Sequence, residues 1–212
     1  MRMTFLESKS RAGKSCIISL TLAMLLSGTL AVNGQDDPQA TVKGMVDEVI
    51  GILKKEELKG EAHAQERRTL LEKAVERGLD YEEMAKRTLA LHWRKRTPSE
   101  RKEFVNTFHE FLSKTYAKRL ETYSDEAVEY IKVRRKDSYA EVQTKIASAK
   151  TELHLDYRLV RKADRWWIYD IVINGVSLIR NYRDQFDRVI KKSSYAELVV
   201  KLRDRTEEIS TP

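Results

Sequence analysis

The sequence predicts an α+β fold: a helical first half, a four-stranded antiparallel sheet, and two closing helices. Three observations carry this. Apolar residues recur every three or four positions as far as about residue 122. From Val128 to Ile173 the apolar spacing drops to two, and after Ser177 the helical spacing returns. With only three prolines in 212 residues and no Gly/Ser-rich stretch, nothing divides this pattern into further domains.

The helical part spans about 38–122. Val42, Met45, Val46, Val49, Ile50 and Leu53 form one stripe, and Asp37-Pro38 ahead of them supplies an N-cap and a first-turn proline. A second helix carries Leu70, Leu71, Ala74 and Val75 and stops at Gly78. Asp80 with Glu83 predicts a capping box for a short third helix bearing Met84, Ala85, Thr88 and Leu89. Thr97-Pro98-Ser99-Glu100 repeats that start signal with cap, proline and N3 glutamate all present. The long helix that follows sets Phe104, Phe108, Phe111, Leu112, Thr115 and Tyr116 on one side.

The sheet spans about 126–174. Val128 and Tyr130 mark a first strand, Ala140 to Ile146 a second, and Leu153 to Leu159 a third. Lys162-Ala163-Asp164 makes a tight connection into a fourth, Trp166 to Ile173. Short polar turns between consecutive strands predict an antiparallel meander. The closing helices occupy about 177–205. Ser177 caps one with Leu178, Ile179, Tyr182, Phe186 and Ile190; Ser194 caps the other, with Leu198, Val199 and Leu202.

The fourth strand differs from the others. Trp167, Tyr169, Ile171 and Ile173 alternate with Trp166, Ile168 and Val172, so both faces are apolar apart from Asp170. A strand of that kind needs cover on both sides. A central strand between helices satisfies the pattern, and so does a strand lining an apolar ligand cavity.

The start of the chain has its own composition. Lys9, Arg11 and Lys14 precede an apolar run from Cys16 to Val32, and small residues Thr29, Ala31 and Gly34 follow before Gln35-Asp36-Asp37. This describes a cleavable secretory signal peptide over residues 1–34, cut after Ala31 or Gly34. Residues 35–212 then form a single domain. The formal charge is +7; Arg2, Lys9, Arg11 and Lys14 against Glu7 leave +4 for that domain. Cys16, the single cysteine, departs with the leader, which excludes disulfides and thiol chemistry from the mature protein. Charges of both signs, mixed along the chain, give no nucleic-acid footprint and fit at most a transient contact with anionic membranes.

Three stretches together are similar to a known family. Tyr169-Asp170-Ile171-Val172-Ile173-Asn174-Gly175-Val176-Ser177-Leu178 running into Asn181-Tyr182-Arg183-Asp184-Gln185-Phe186 resembles the signature of the MlaC family. His92-Trp93-Arg94 with Thr97-Pro98-Ser99-Glu100-Arg101 and Phe104 resembles its helical half, and Tyr123-Ser124-Asp125-Glu126 matches ahead of the sheet. These proteins, also called the toluene-tolerance auxiliary family, are the periplasmic phospholipid-binding components of the Mla ABC transport system, which maintains outer-membrane lipid asymmetry. The resemblance implies a twisted, NTF2-like four-stranded sheet wrapped by about six helices, with a deep apolar cavity between sheet and helices. It implies a monomeric carrier, without cofactor or metal. Its cargo would pass between an inner-membrane ABC complex and an outer-membrane lipoprotein complex. Relatives in hopanoid gene clusters leave a hopanoid or other apolar lipid as the alternative cargo. Ala147 to Glu152 departs from the family's Asp-Gly hairpin and leaves the register of the second and third strands open.

Within that frame the expected lipid-lining residues are Phe108, Leu112 and Tyr116 from the long helix and Val142, Leu155, Tyr157, Ile168 and Val172 from the sheet. Val176 and Tyr182 join them where the last strand meets its helix. Gly175 is expected at a turn needing positive φ. For the competing reading, a small NTF2-like enzyme, Asp170 with Tyr157 is the best acid/base pair. A hydrogen-bonded structural Asp170 is the simpler expectation. His63, His92, His109 and His154 lack metal-ligand spacing. There is no Gly-rich phosphate loop and no nucleophile elbow, so no catalytic residue is assigned.

Overall fold

The computed structural model describes residues 37–121, 127–147 and 152–210. The leader and the Tyr123–Glu126 motif lie outside the described residues. Four helices come first: α1 (Pro38–Leu53), α2 (Ala64–Glu76), α3 (Tyr81–Leu89) and α4 (Pro98–Glu121), with short 3-10 turns between. The sheet follows as β1 (Ala127–Lys136), β2 (Tyr139–Ala147), β3 (Glu152–Lys162), β4 (Arg165–Ile173) and β5 (Val176–Ser177). Helices α5 (Leu178–Lys192) and α6 (Tyr195–Ser210) close the chain.

The helix starts follow their side-chain signals. Asp37 accepts from Gln39 N at 3.2 Å, with Pro38 in the first turn. Thr97 and Glu100 bond reciprocally, Thr97 N to Glu100 Oε2 at 2.7 Å and Glu100 N to Thr97 Oγ1 at 3.2 Å. Ser177 accepts from Arg180 N and Ser194 from Glu197 N. The expected box at Asp80 is half made. Asp80 caps Glu83 N at 2.9 Å, but the Asp80 N–H donates to Ile168 O across to the sheet. Glu83 is therefore free of that duty, and its carboxylate pairs with Arg87 at 2.9 Å and Lys162 at 3.4 Å.

The sheet is an antiparallel meander in the order β1-β2-β3-β4-β5. It has five strands rather than four. The sequence reads Asn174-Gly175 as a strand-to-helix turn. Both residues have positive φ, 48° and 80°, and form a two-residue hairpin loop that pairs Val172 with Ser177 and Ile173 with Val176. Asn-Gly is the dipeptide such turns favour, because both central positions need the left-handed region. The β2–β3 register left open by the sequence pairs Val142 with Tyr157 and Ala147 with Glu152.

Two bulges interrupt the ladders. Ile131 is the extra residue between Tyr130 and Lys132 in β1, and Tyr169 is the extra residue where Arg158 faces Asp170 but Leu159 faces Ile168. An inserted residue bends the strand and reverses which face its later side chains take. The outer edge of β4 is covered twice, by β5 at one end and by Gly78 and Asp80, which bracket Leu79 and bond Ile168, at the other. That makes β4 an internal strand, as its apolar composition requires. One apolar core unites α1, α3, α4, α5 and α6 with β2, β3 and β4; a second, around Ile52, Leu58, Leu71 and Ala74, ties α1 to α2.

Candidate functional site

The interior between helices and sheet is built from repeating positions. On α4, Phe104, Phe108, Phe111 and Leu112 recur at helical spacing and are all buried. From α5, Leu178, Ile179, Tyr182 and Phe186 meet them. Phe108 stands edge-on to Tyr182 and to Phe186 at 5.6 Å each, and Phe111 stands edge-on to Tyr182 at 5.5 Å. Edge-to-face rings at these separations are favourable contacts. The sheet contributes aligned rows: Val142, Tyr157 and Ile171 face one another across three strands, as do Thr144, Leu155 and Ile173. Beyond the bulge, Ala140, Leu159 and Ile168 continue the wall.

Of the lipid-lining residues expected from sequence, Phe108, Leu112, Val142, Tyr157, Ile168 and Tyr182 are buried in this one cluster. Tyr116 and Leu155 pack against it. Two placements differ. Val172 faces Asp156, in the row with Gln143, so it lies on the other side of the sheet from Tyr157 and outside the main cluster. The bulge at Tyr169 is the cause: it shifts Val172 out of the alternation counted from Ile168. Val176 is 60% exposed, paired with Ile173 in the two-residue strand β5 beside the Asn174-Gly175 turn. The residues expected to line the cavity form one contiguous apolar cluster between the helices and the sheet. Two clefts lie elsewhere: a largely polar one of about 380 Å³ between α4 and α6, lined by Glu103, Thr107, Glu110 and Arg203, and one of mixed character, about 420 Å³, against Ile131, Gln143, His154, Asp156 and Gly175.

Tyr157 and Tyr130 bring two neighbouring phenols of the sheet to the core. Burial, and then the neighbouring Tyr130, pushes the Tyr157 hydroxyl well above its ordinary range. Tyr130, on β1, has a buried hydroxyl to which no described residue hydrogen-bonds. The sequence showed Tyr130 only as one apolar position of a short strand.

Asp170 is a structural group. It is 2% exposed and accepts three hydrogen bonds: from Ser177 Oγ at 2.6 Å, Arg158 Nη1 at 3.1 Å and the Ile179 N–H at 3.1 Å. It thereby ties β3, β4 and the first turn of α5 together. Asp170 aligns with Arg158 and Tyr157 with Ile171, so the two members of the acid/base pair occupy opposite faces. The histidines each sit by a carboxylate: His92 by Asp187 at 2.9 Å, His154 by Glu152 at 3.0 Å, His63 by Glu66 at 3.7 Å. His109 of α4 lies 3.1 Å from Glu76 and 3.7 Å from Glu72 of α2, without hydrogen-bond alignment at its Nε2. That trio is the grouping of metal-ligand atoms among the described residues that spacing alone missed. Contact between two helices far apart in sequence brings it together.

These features define an α+β domain in which an antiparallel meander and its helices enclose one continuous apolar interior. The model of the MlaC protein family matches residues 43–204, and the chain belongs to that family. It is 20% identical over 192 residues to the intermembrane phospholipid transport system binding protein MlaC of Haemophilus influenzae, covering 88% of this chain and 89% of that one. Among solved structures it resembles the phospholipid-binding protein from Ralstonia solanacearum in complex with a phospholipid. That likeness has a TM-score of 0.75 at 28% identity, over 82% of this chain and 99% of that chain.

Proposed function

We propose that residues 35–212 form a periplasmic phospholipid carrier that follows export directed by residues 1–34. In this reading it shuttles lipid between an inner-membrane Mla ABC complex and an outer-membrane lipoprotein complex and performs no catalysis. The observation that carries it is the continuous apolar interior between sheet and helices, in a fold shared over nearly the whole length of a phospholipid-bound relative. No helix among the described residues is long and apolar enough to cross a membrane.

The physics asks for an enclosed site. Each buried CH₂ of an acyl chain is worth about 0.8 kcal/mol, so two ordinary chains cost tens of kcal/mol to expose to water. A shallow groove leaves too much of that surface wet. The walls expected to take the chains are Phe108, Leu112, Tyr116 and Tyr182 from the helices and Val142, Leu155, Tyr157 and Ile168 from the sheet. Bilayer and interior are both apolar, which makes transfer nearly neutral and leaves direction to the partner complexes.

Native mass spectrometry of gently purified protein, followed by organic extraction, tests the reading. The expected result is one phospholipid per protein; a hopanoid in its place redirects the carrier to that lipid. A protein that is lipid-free from every source, and that takes up none from vesicles, overturns it.

A further inference from the structure

Tyr130 stands directly opposite Thr144, and Thr144 opposite Leu155, on the side of the sheet that packs against the core. The Thr144 hydroxyl is satisfied, donating to Leu155 O at 2.7 Å. The Tyr130 hydroxyl oxygen is equally shielded from solvent, yet no described residue bonds to it. Buried polar groups nearly always have a partner, and leaving one unmade is costly. Packing alone does not call for this hydroxyl, since phenylalanine fills the same volume without that cost. Burial, and then the Asp47 carboxylate of α1, raises the phenol to about 12, so it is neutral and able to donate across the physiological range.

We propose that Tyr130 Oη is a ligand-facing hydrogen-bond donor inside the apolar interior, and that it recognises an ester carbonyl of a diacyl lipid. This rests on the carrier reading above and deepens it. The chemistry of the surroundings selects the acceptor. Tyr130 packs against the apolar cluster that holds Val142 and Tyr157, which suits the acyl end of a lipid. The carboxylate that acts on it, Asp47, is itself paired with Lys43, so that pair offers a phosphate no net positive charge at this point. A hydrocarbon lipid without carbonyls offers no acceptor at all. The ester group is neutral, accepts hydrogen bonds, and lies where acyl chain meets glycerol.

The test compares two probes on delipidated protein: a dipalmitoyl phosphatidylglycerol and the dialkyl-ether lipid of the same headgroup and chain length. Wild type is expected to bind the diester roughly fivefold more tightly, the effect of one hydrogen bond. Tyr130→Phe is expected to abolish that preference while the lipid-free variant melts at the wild-type temperature or above it, having lost an unsatisfied group. Equal affinity of wild type for both lipids, or a Tyr130→Phe variant that keeps the preference, overturns the assignment with the carrier reading intact. A lower melting temperature in the lipid-free variant overturns it too, since the hydroxyl then serves the fold. Failure of wild type to bind either lipid defeats the carrier reading itself.

Discussion

Asp170 interrupts an apolar strand, and its three donors come from two segments. Arg158 is on β3, Ser177 is the N-cap of α5, and the Ile179 N–H belongs to that helix's first turn. A carboxylate there also complements the positive end of the helix. Arg158 is 40% exposed, so solvent screens its share, and the two donors from α5 carry most of the effect. Asp170→Ala is expected to cost about 3 kcal/mol, because two buried donors lose a charged acceptor. Asp170→Asn should cost less, since its amide oxygen still accepts from Ile179. Urea denaturation measures both, and a change below about 1 kcal/mol for the alanine variant contradicts the structural role.

At the level of elements, much is legible in the sequence because the signals are local. Thr97-Pro98-Ser99-Glu100 predicts both bonds of a capping box, and both are made. The Glu100 carboxyl is held below its ordinary value, first by the bond from the Thr97 backbone N–H. A depressed carboxylate contributes stability above its unfolded value near 4.3 and loses it as pH falls through the lower folded value. Glu100→Gln still accepts from Thr97 but does not titrate. Its melting temperature should therefore lie somewhat below wild type at pH 7 and converge on it as the pH falls from about 5 to 3, giving a shallower fall. Parallel curves across that interval contradict this account. What the sequence hides is set by partners distant along the chain. Glu83 leaves its box for Lys162, 79 positions away, and Tyr169 bulges without any Gly or Pro to announce it. A strand apolar at every other position except Asp170 reads the same with or without an inserted residue, so the side taken by Val172 is invisible before the register is known. Asn174-Gly175 did carry a hairpin signal, masked by the helix cap two residues later.

Across the whole molecule, the sequence conveys a helix-covered sheet and six of the core-wall residues, because burial and periodicity coincide there. It does not convey whether the wall surrounds a space or closes on itself. Periodicity reports which side chains avoid water, and a ligand and a neighbouring ring satisfy that demand equally. Aromatic contacts join α4 and α5 on the helical side of the interior, so those two helices form the wall that faces the sheet in the proposed carrier.

The free edge of β1 has a consequence for colloidal behaviour. Among the described strands it is the long one with a partner on a single side, and it is ten residues in length. Exposed strand edges recruit copies of the same chain unless something discourages them. Here the bulge at Ile131 bends the edge, and a run of cations charges it: Lys132 and Lys136, with Arg134 paired to Glu141 and Arg135 to Asp37. Replacing Lys132 and Arg134 together with valine should leave the monomer folded by circular dichroism yet produce concentration-dependent light scattering. Scattering that stays at the wild-type level places the guard elsewhere. The cationic run on β1 thus acts between molecules: it limits how closely two copies can approach and how crowded the protein can become before it associates.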